Sequence, residues 1–316
     1  MGERSPRVLI IGGGELGSAT AHRLFEAGMM VFVADLERPT CIRTGVCFAA
    51  ALREGAACVE GVTAVAVESG HDQAEEARGA GRTNEDRTLA ERALAIVRDG
   101  KIPVLAVGTG EGESGLRRLA AGLGVDVVVD ARMLRGGRSL AKGMAPLTVG
   151  LGPGFTAGVD VDVVIETNRG EGLGKVIRTG SAEPATGVPA PVEGYTHERV
   201  IRSPQAGTFK RAARVGDLVL AGSIIGTVTP AGDGGAGGAA GGTGAGAPAT
   251  PAEVTAPIVG LLRGLVMDGT AVRAKQKIGD VDPRGSGIDP LAISDKGHAV
   301  AGGVLEAVRD WIRSHA

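Results

Sequence analysis

The chain has 316 residues, 22% of them charged, and a net charge of −2. That length can bury two or three cores, since a domain takes about 100–200 residues. Near-neutrality offers no general attraction for nucleic acid or an anionic membrane. No apolar run reaches the roughly 18 residues of a spanning helix, and the first apolar run enters glycines too early for a signal peptide. The expectation is a cytoplasmic protein that binds neither nucleic acid nor membrane.

Val8 to Ile11 is a short branched run suited to a buried parallel strand. It breaks into Gly12-Gly13-Gly14-Glu15-Leu16-Gly17, and Ser18 to Ala27 then reads as a helix ending near Gly28. Met30 to Ala34 is a second strand, closed by Asp35. In this order the parts suit a dinucleotide. Gly12 permits a tight turn, Gly14 lets the backbone approach a pyrophosphate, and Gly17 lets helix and strand pack closely. The helix N-terminus offers free N–H groups to an anion, and Asp35 would accept from ribose hydroxyls. Arg38 and Arg43 flank the tip of the second strand, where an adenine or a 2′-phosphate would lie. Asp35 opposes a 2′-phosphate and the arginines favour one, so NAD(P) or another dinucleotide is the expected cofactor.

Thr40 is a plausible cap for a helix over 42–52. Cys41, Cys47 and Cys58 lack metal-ligand spacing and suit small buried positions. The five histidines are scattered, and no metal site is expected. A strand over 62–67, a polar loop over 71–82, a helix over 86–98, and strands over 102–107 and 125–129 around a helix over 115–123 follow. This alternation reads as a Rossmann-like, doubly wound parallel sheet. Gly108-Thr109-Gly110, Asp130 and Arg132 fall just past strand ends, where open α/β sheets bind ligands; Asp130 and Arg132 suit a structural ion pair equally well. Gly150 to Gly158 suits a backbone concavity for an anion, and a strand over 161–166 runs into Thr167-Asn168-Arg169. Gly152, Gly154, Thr156, Asn168 and Arg169 are therefore a second candidate set, expected in one cleft with Gly12 to Gly17. The alternative is that Arg169 only pairs with Glu166 or Glu171. No catalytic residue is identified: Tyr195 is the sole tyrosine and no His–acid pair is evident.

Residues 203–228 recur as 256–281, at a constant offset of 53 positions and without a gap. Ser203-Pro204, Gly207, Gly216, Val219, Ile225-Gly226 and Val228 match Ala256-Pro257, Gly260, Gly269, Val272, Ile278-Gly279 and Val281. A fixed-period repeat of short β segments points to two interlocked halves of one small sandwich. The half-motif resembles the biotinyl/lipoyl carrier fold, a barrel-sandwich hybrid. The linker over 229–253 contains no lysine, however, and is rich in Gly and Ala over 232–247, which disfavours a swinging-arm carrier. The expected domains are 1–180, 198–284, and a tail over 285–316 whose helix, His298 to Arg313, packs an apolar stripe of Val300, Val304 and Val308 on the first domain.

The blocks IIGGGELGSATAHRLFEAG, RPTCIR, GLGPGFTAGVDVDVVIETNRG, IGDVDPRG and ISDKGHAVAGGVLEAV, together with the tandem repeat, resemble the selenium-dependent molybdenum hydroxylase accessory family over nearly the whole chain. The sequence departs from it at Glu171, where a histidine is expected, and in its longer linker. The resemblance implies an accessory or maturation protein of that system, with the molybdenum cofactor as cargo. It implies a molybdenum hydroxylase or its maturation proteins as partners, beside a nucleotide ligand; a homo-oligomer is a separate expectation. The rival expectation is an NAD(P)-dependent oxidoreductase.

Overall fold

The computed structural model describes residues 5–68, 82–108, 112–134, 140–230 and 250–315. Most of the loop expected over 71–82, Thr109 and Gly110, and the linker core 232–247 lie outside the described residues. The chain divides into two units. Unit 1 holds Met1–Pro39, Val46–Gly187 and Leu291–Ala316, and unit 2 holds Thr40–Gly45 and Val188–Pro290.

Unit 1 contains strands β1 (Arg7–Ile11), β2 (Met30–Leu36), β3 (Ala56–Val59), β4 (Val62–Ala66), β5 (Ile102–Val107), β6 (Val127–Asp130) and β7 (Leu147–Leu151). The series continues with β8 (Thr156–Ala157), β9 (Val163–Ile165), β10 (Val176–Ile177) and β11 (Gly180–Ser181). Its helices are α1 (Glu15–Glu26), α2 (Ala51–Glu54), α3 (Arg82–Arg98), α4 (Gly112–Leu123) and α5 (Asp295–His315). Nine strands make one sheet in the order β10-β9-β7-β6-β1-β2-β5-β4-β3. Successive side chains of a strand face opposite ways. Val8 and Ile10 of β1 accordingly enter a core with α1 and α5, whereas Leu9 and Ile11 enter a second core with α3 and α4.

The expected Rossmann-like parallel sheet is corrected here. The sheet is mixed, because both of its edges are hairpins. Glu60 and Gly61, both at positive φ, turn β3 directly into an antiparallel β4. At the other edge Glu166 N–H donates to Lys175 O and Gly174 N–H to Glu166 O, folding β10 back on β9. The helix expected over 42–52 is also broken. Residues 40–45 belong to unit 2, where Leu265 N–H donates to Ile42 O at 2.8 Å. What forms instead are two 3-10 turns, Thr44–Val46 and Phe48–Ala50, and the single turn of α2.

Unit 2 contains β12 (Val200–Arg202), β13 (Gly207–Arg211), β14 (Leu218–Val219), β15 (Ile224–Thr229), β16 (Ala252–Thr255), β17 (Gly260–Leu265), β18 (Thr270–Val272) and β19 (Lys277–Asp282). They form two four-stranded antiparallel sheets, β12-β19-β17-β14 and β16-β15-β13-β18. Shifting every number by the repeat offset turns one sheet into the other. The hydrogen bonds repeat too: Gly216 N–H donates to Leu262 O, and Gly269 N–H to Phe209 O. β14 of the first repeat pairs with β17 of the second, and β18 with β13, so each half completes the other's sheet. The described residues support this pair of sheets and nothing specific to a biotinyl/lipoyl barrel-sandwich hybrid, so that assignment is withdrawn.

Candidate functional site

The site is built at the carboxyl ends of the parallel strands of unit 1. β2 lies on one side of β1 and β6 on the other, so the chain reverses its direction of winding beside β1. Loops diverge at such a point and leave a crevice.

The β1–α1 turn occupies that crevice, and its three glycines have different environments. Gly12 sits at φ +96°, and a Cβ there would lie 2.9 Å from Arg132 Cγ. Gly13 is equally confined, since a Cβ would meet Val33 Cγ1 at 2.8 Å and Ala49 N at 2.9 Å. A Cβ on Gly17 would run into the carbonyl oxygen of Gly12. Gly14 is different: at φ −72° it caps α1 without a side-chain hydrogen bond, and none of the described residues lies within 4 Å of where its Cβ would be. Gly14 has no side chain to cap the first N–H groups of α1, which carry the positive end of the helix dipole. Sequence spacing singled out Gly12, Gly14 and Gly17 but not Gly13, whose confinement arises from Ala49, far along the chain.

Asp35 ends β2 beside this turn. One carboxylate oxygen accepts from Gly13 N–H and the other from Leu36 N–H, both at 2.7 Å. Burial raises its pKa above the ordinary 3.8; those two hydrogen bonds and the Arg132 charge pull it back only in part. Arg132 forms a bidentate pair with buried Asp130, through Nε at 3.0 Å and through Nη2. This pair lies across the crevice from Asp35, at the end of β6.

The second candidate set lies on the same edge, beyond β6. Gly152 sits at φ +73°, and a Cβ there would meet Thr167 Oγ1 at 2.5 Å, so the β7 and β9 loops touch at this point. Buried Glu166 organises the β9 loop. Its carboxylate accepts from Thr167 and Asn168 N–H at 2.7 Å and from Glu183 N–H at 2.8 Å. Asn168 Nδ2 donates to Pro184 O at 2.9 Å, which holds the following segment in place. Arg169 pairs with neither Glu166 nor Glu171 but reaches Asp295 at the start of α5, at 2.7 Å. Gly154, at φ +106°, serves the turn into β8. Thr156 Oγ1 lies 3.1 Å from Ser181 Oγ across the β8–β11 pair, and Thr156 N–H donates to Asp160 in the turn after β8 at 2.7 Å. Arg38 is exposed past β2. Arg43 is buried in unit 2 and donates to Pro290 O at 3.2 Å.

One cation here escaped sequence reasoning. Lys296 sits in the first turn of α5, and its pKa is lowered by burial and by the Arg169 charge; Glu15 and Glu166 oppose the shift. Among the described residues its ammonium has no hydrogen-bond or ion-pair partner. Next to it Gly297 packs on Ala19, where a Cβ would lie 3.1 Å from the alanine methyl. α5 therefore begins beside the start of α1, and the two helices run in the same direction with both N-termini at this edge. Ser294 caps α5, accepting from Gly297 N–H at 3.1 Å.

Cys47 is fully buried, and Cys58 is an exposed free thiol. Among the described residues no group of three His, Cys, Asp or Glu is placed to hold a metal ion, and no helix is long and apolar enough to cross a membrane. A recess of about 480 Å³ lined by Leu147, Asp162, Arg178 and Trp311 opens at the opposite edge, where β7 and β9 begin. It shares no residue with the site described above.

No family model matches the chain. Among solved structures the chain is similar to an aspartoacylase family protein from Mesorhizobium loti MAFF303099, at 12% identity and a TM-score of 0.25. The match covers 88% of this chain and 85% of the other. It is also similar to the ectoine utilization protein EutE (DoeB) from Ruegeria pomeroyi, at 13% identity and a TM-score of 0.24, with the same coverage of each chain. A succinylglutamate desuccinylase/aspartoacylase from Rhodobacter sphaeroides matches at 11% identity and a TM-score of 0.24, again over 88% and 85%. These names are neither those of maturation factors nor those of NAD(P) oxidoreductases. Both functional expectations are withdrawn, as are the Rossmann and carrier-domain names. TM-scores this low carry no argument about the chemistry of this chain. Among curated proteins the chain is 40% identical over 301 residues to the uncharacterized protein YqeB of Escherichia coli (strain K12). That match covers 95% of this chain and 47% of YqeB, so the chain is similar to YqeB and spans about half of its length.

Proposed function

We propose that unit 1 binds a nucleotide, of the NAD(P) kind or another dinucleotide, with its phosphates against the β1–α1 turn. The observation that carries this is the contrast among the glycines. Gly12, Gly13 and Gly17 are each fixed by a close neighbour, whereas the Cβ position of Gly14 meets none of the described residues and lies at the N-cap of α1. Close packing accounts for the first three, whereas Gly14 only caps α1 and has no described neighbour against its Cβ position. Asp35 is placed to accept from a ribose, and no catalytic step is part of this reading.

The blocks GLGPGFTAGVD…ETNRG and ISDK…GGVLEA support membership of the selenium-dependent molybdenum hydroxylase accessory family, and they contribute the β7, β9 and α5 ends at this same edge. No maturation activity is proposed with that membership.

Titration calorimetry with NAD, NADP and ADP tests the nucleotide reading, alongside mass spectrometry of any ligand released from the denatured protein. Gly14→Val should abolish binding while changing stability by no more than about 1 kcal/mol, because its side chain enters empty space at a cap position. Gly17→Ala should instead cost roughly 1–3 kcal/mol of stability by forcing the turn off α1. Failure of all three nucleotides to bind below millimolar, with nothing released on denaturation, would reduce the turn to architecture.

A further inference from the structure

We propose that two copies of this chain associate through one end of unit 2, the apolar tip formed by Leu218, Leu220, Ile224 and Val259. This goes beyond the nucleotide reading and does not depend on it. Leu218 and Leu220 lie two apart on one face of the chain, 67% and 68% exposed. Leu218 pairs with Leu261 and Val219 with Gly260, so the same register brings Leu220 opposite Val259, which is 59% exposed. Ser223 N–H donates to Leu220 O at 3.0 Å and closes the turn from which Ile224, 48% exposed, begins β15. The four side chains make one patch of apolar surface, on the order of 400 Å², a size that marks interaction sites.

The repeat shows that the fold does not require this chemistry. The same turn recurs 53 positions later at Arg273–Gln276. There Gln276 N–H donates to Arg273 O at 3.1 Å, and Lys275 N–H donates to Ser203 O at 2.8 Å as Gly222 N–H does to Ala256 O. The side chains differ: Leu218, Leu220, Ile224 and Val259 correspond to Ala271, Arg273, Lys277 and Ala206. Lys275, at φ +63°, holds the left-handed position that Gly222 fills at +83°. One tip is therefore basic and the other apolar. They lie at opposite ends of β13, since Gly207 pairs with Val272 beside the basic turn and Arg211 with Gly226 towards Ile224.

Area and charge both select a second copy as the occupant. A stable interface takes about 800 Å² from each partner, somewhat over half of it apolar. The patch supplies close to that apolar share when it faces itself across a twofold axis. No charged residue falls in 218–228 or 254–262, so such a contact opposes no like charges. Two apolar tips would let copies join end to end without closing. Arg273, Lys275 and Lys277 repel a second copy at the other tip, which limits association to a closed pair.

Sedimentation velocity of the full chain between about 1 and 100 μM tests the proposal, because interfaces of this size are micromolar or tighter. The wild type should become dimeric within that range. Leu220→Arg combined with Ile224→Lys installs side chains that the equivalent backbone already carries at the basic tip. This variant should keep the wild-type melting temperature and weaken association by roughly tenfold or more. Arg273→Leu combined with Lys277→Ile should form assemblies longer than a dimer. Hydrogen exchange of the 218–224 amides in the wild type, which needs no variant, should slow as concentration rises. A wild type that stays monomeric and shows no such slowing overturns the proposal and leaves the tip to an unlike partner. A dimer that survives Leu220→Arg with Ile224→Lys also overturns it, and puts the contact elsewhere.

Discussion

At the scale of single residues, Asp35 joins the fold to the proposed nucleotide site. Burial holds its carboxyl above the ordinary value of 3.8 against the pull of two backbone donors and Arg132. A folded pKa above the unfolded one means that the native state takes up the proton more readily. The stability that this confers is present below the unfolded value and is lost as pH rises through the folded value. Binding of the proposed nucleotide should have the opposite dependence, since only the ionised form accepts from both hydroxyls of a ribose. Nucleotide affinity should therefore begin to fall, as pH is lowered, before an ordinary aspartate would titrate. Asp35→Asn should flatten that dependence and weaken binding by about 1–3 kcal/mol at neutral pH. Calorimetry between pH 4 and pH 8 checks both points, and an unchanged profile in the variant would remove Asp35 from the site.

At the scale of elements, the two repeats of unit 2 are equivalent down to their strained positions. Gly207 and Gly260 share φ values of +155° and +157°. A Cβ on either would collide with a carbonyl oxygen, of Thr229 and of Asp282 respectively. Their surroundings correspond because β13 and β17, β15 and β19 occupy equivalent places in the two sheets. Gly207→Ala and Gly260→Ala should each destabilise unit 2 by roughly 1–3 kcal/mol, through displaced backbone rather than a lost side chain. Denaturant unfolding of the two variants should give nearly equal losses. A large difference would show that one half tolerates distortion that the other does not.

At the scale of the whole molecule, unit 1 is assembled from three separated stretches of chain, and the last supplies α5. Val300, Val304 and Val308 are fully buried in the core that α5 shares with α1 and with β1, β6 and β7. Burial of each such side chain is worth about 1.5–3 kcal/mol relative to exposure. For the three together that is about 4.5–9 kcal/mol, comparable to the whole stability of a domain at about 5–15 kcal/mol. A chain ending at Pro290 should lack a cooperative thermal transition for unit 1 and should bind a hydrophobic dye. Retention of a sharp melt by calorimetry would mean that α1 and the sheet close without α5.

Local pattern determined a good deal about this chain. The alternation of Val8 and Ile10 with Leu9 and Ile11 settles which side chains go to which face, because strand periodicity is a property of the backbone. The spacing of Gly12 and Gly17 encodes a tight turn against a helix, since both contacts lie within a few residues. The constant offset of 53 positions foretells equivalent halves in unit 2. Tertiary structure decided the rest. The antiparallel edges of the sheet depend on Glu60-Gly61 and on hydrogen bonds around Glu166, which hydrophobic runs do not report. The broken helix over 42–52 depends on residues 40–45 joining unit 2, against local propensity. The confinement of Gly13 depends on Ala49. Lys296 is brought to Glu15 and Glu166 only when α5 returns to α1, across more than half the length of the chain. Contacts between residues so distant in sequence leave no periodic trace, because packing rather than spacing brings them together.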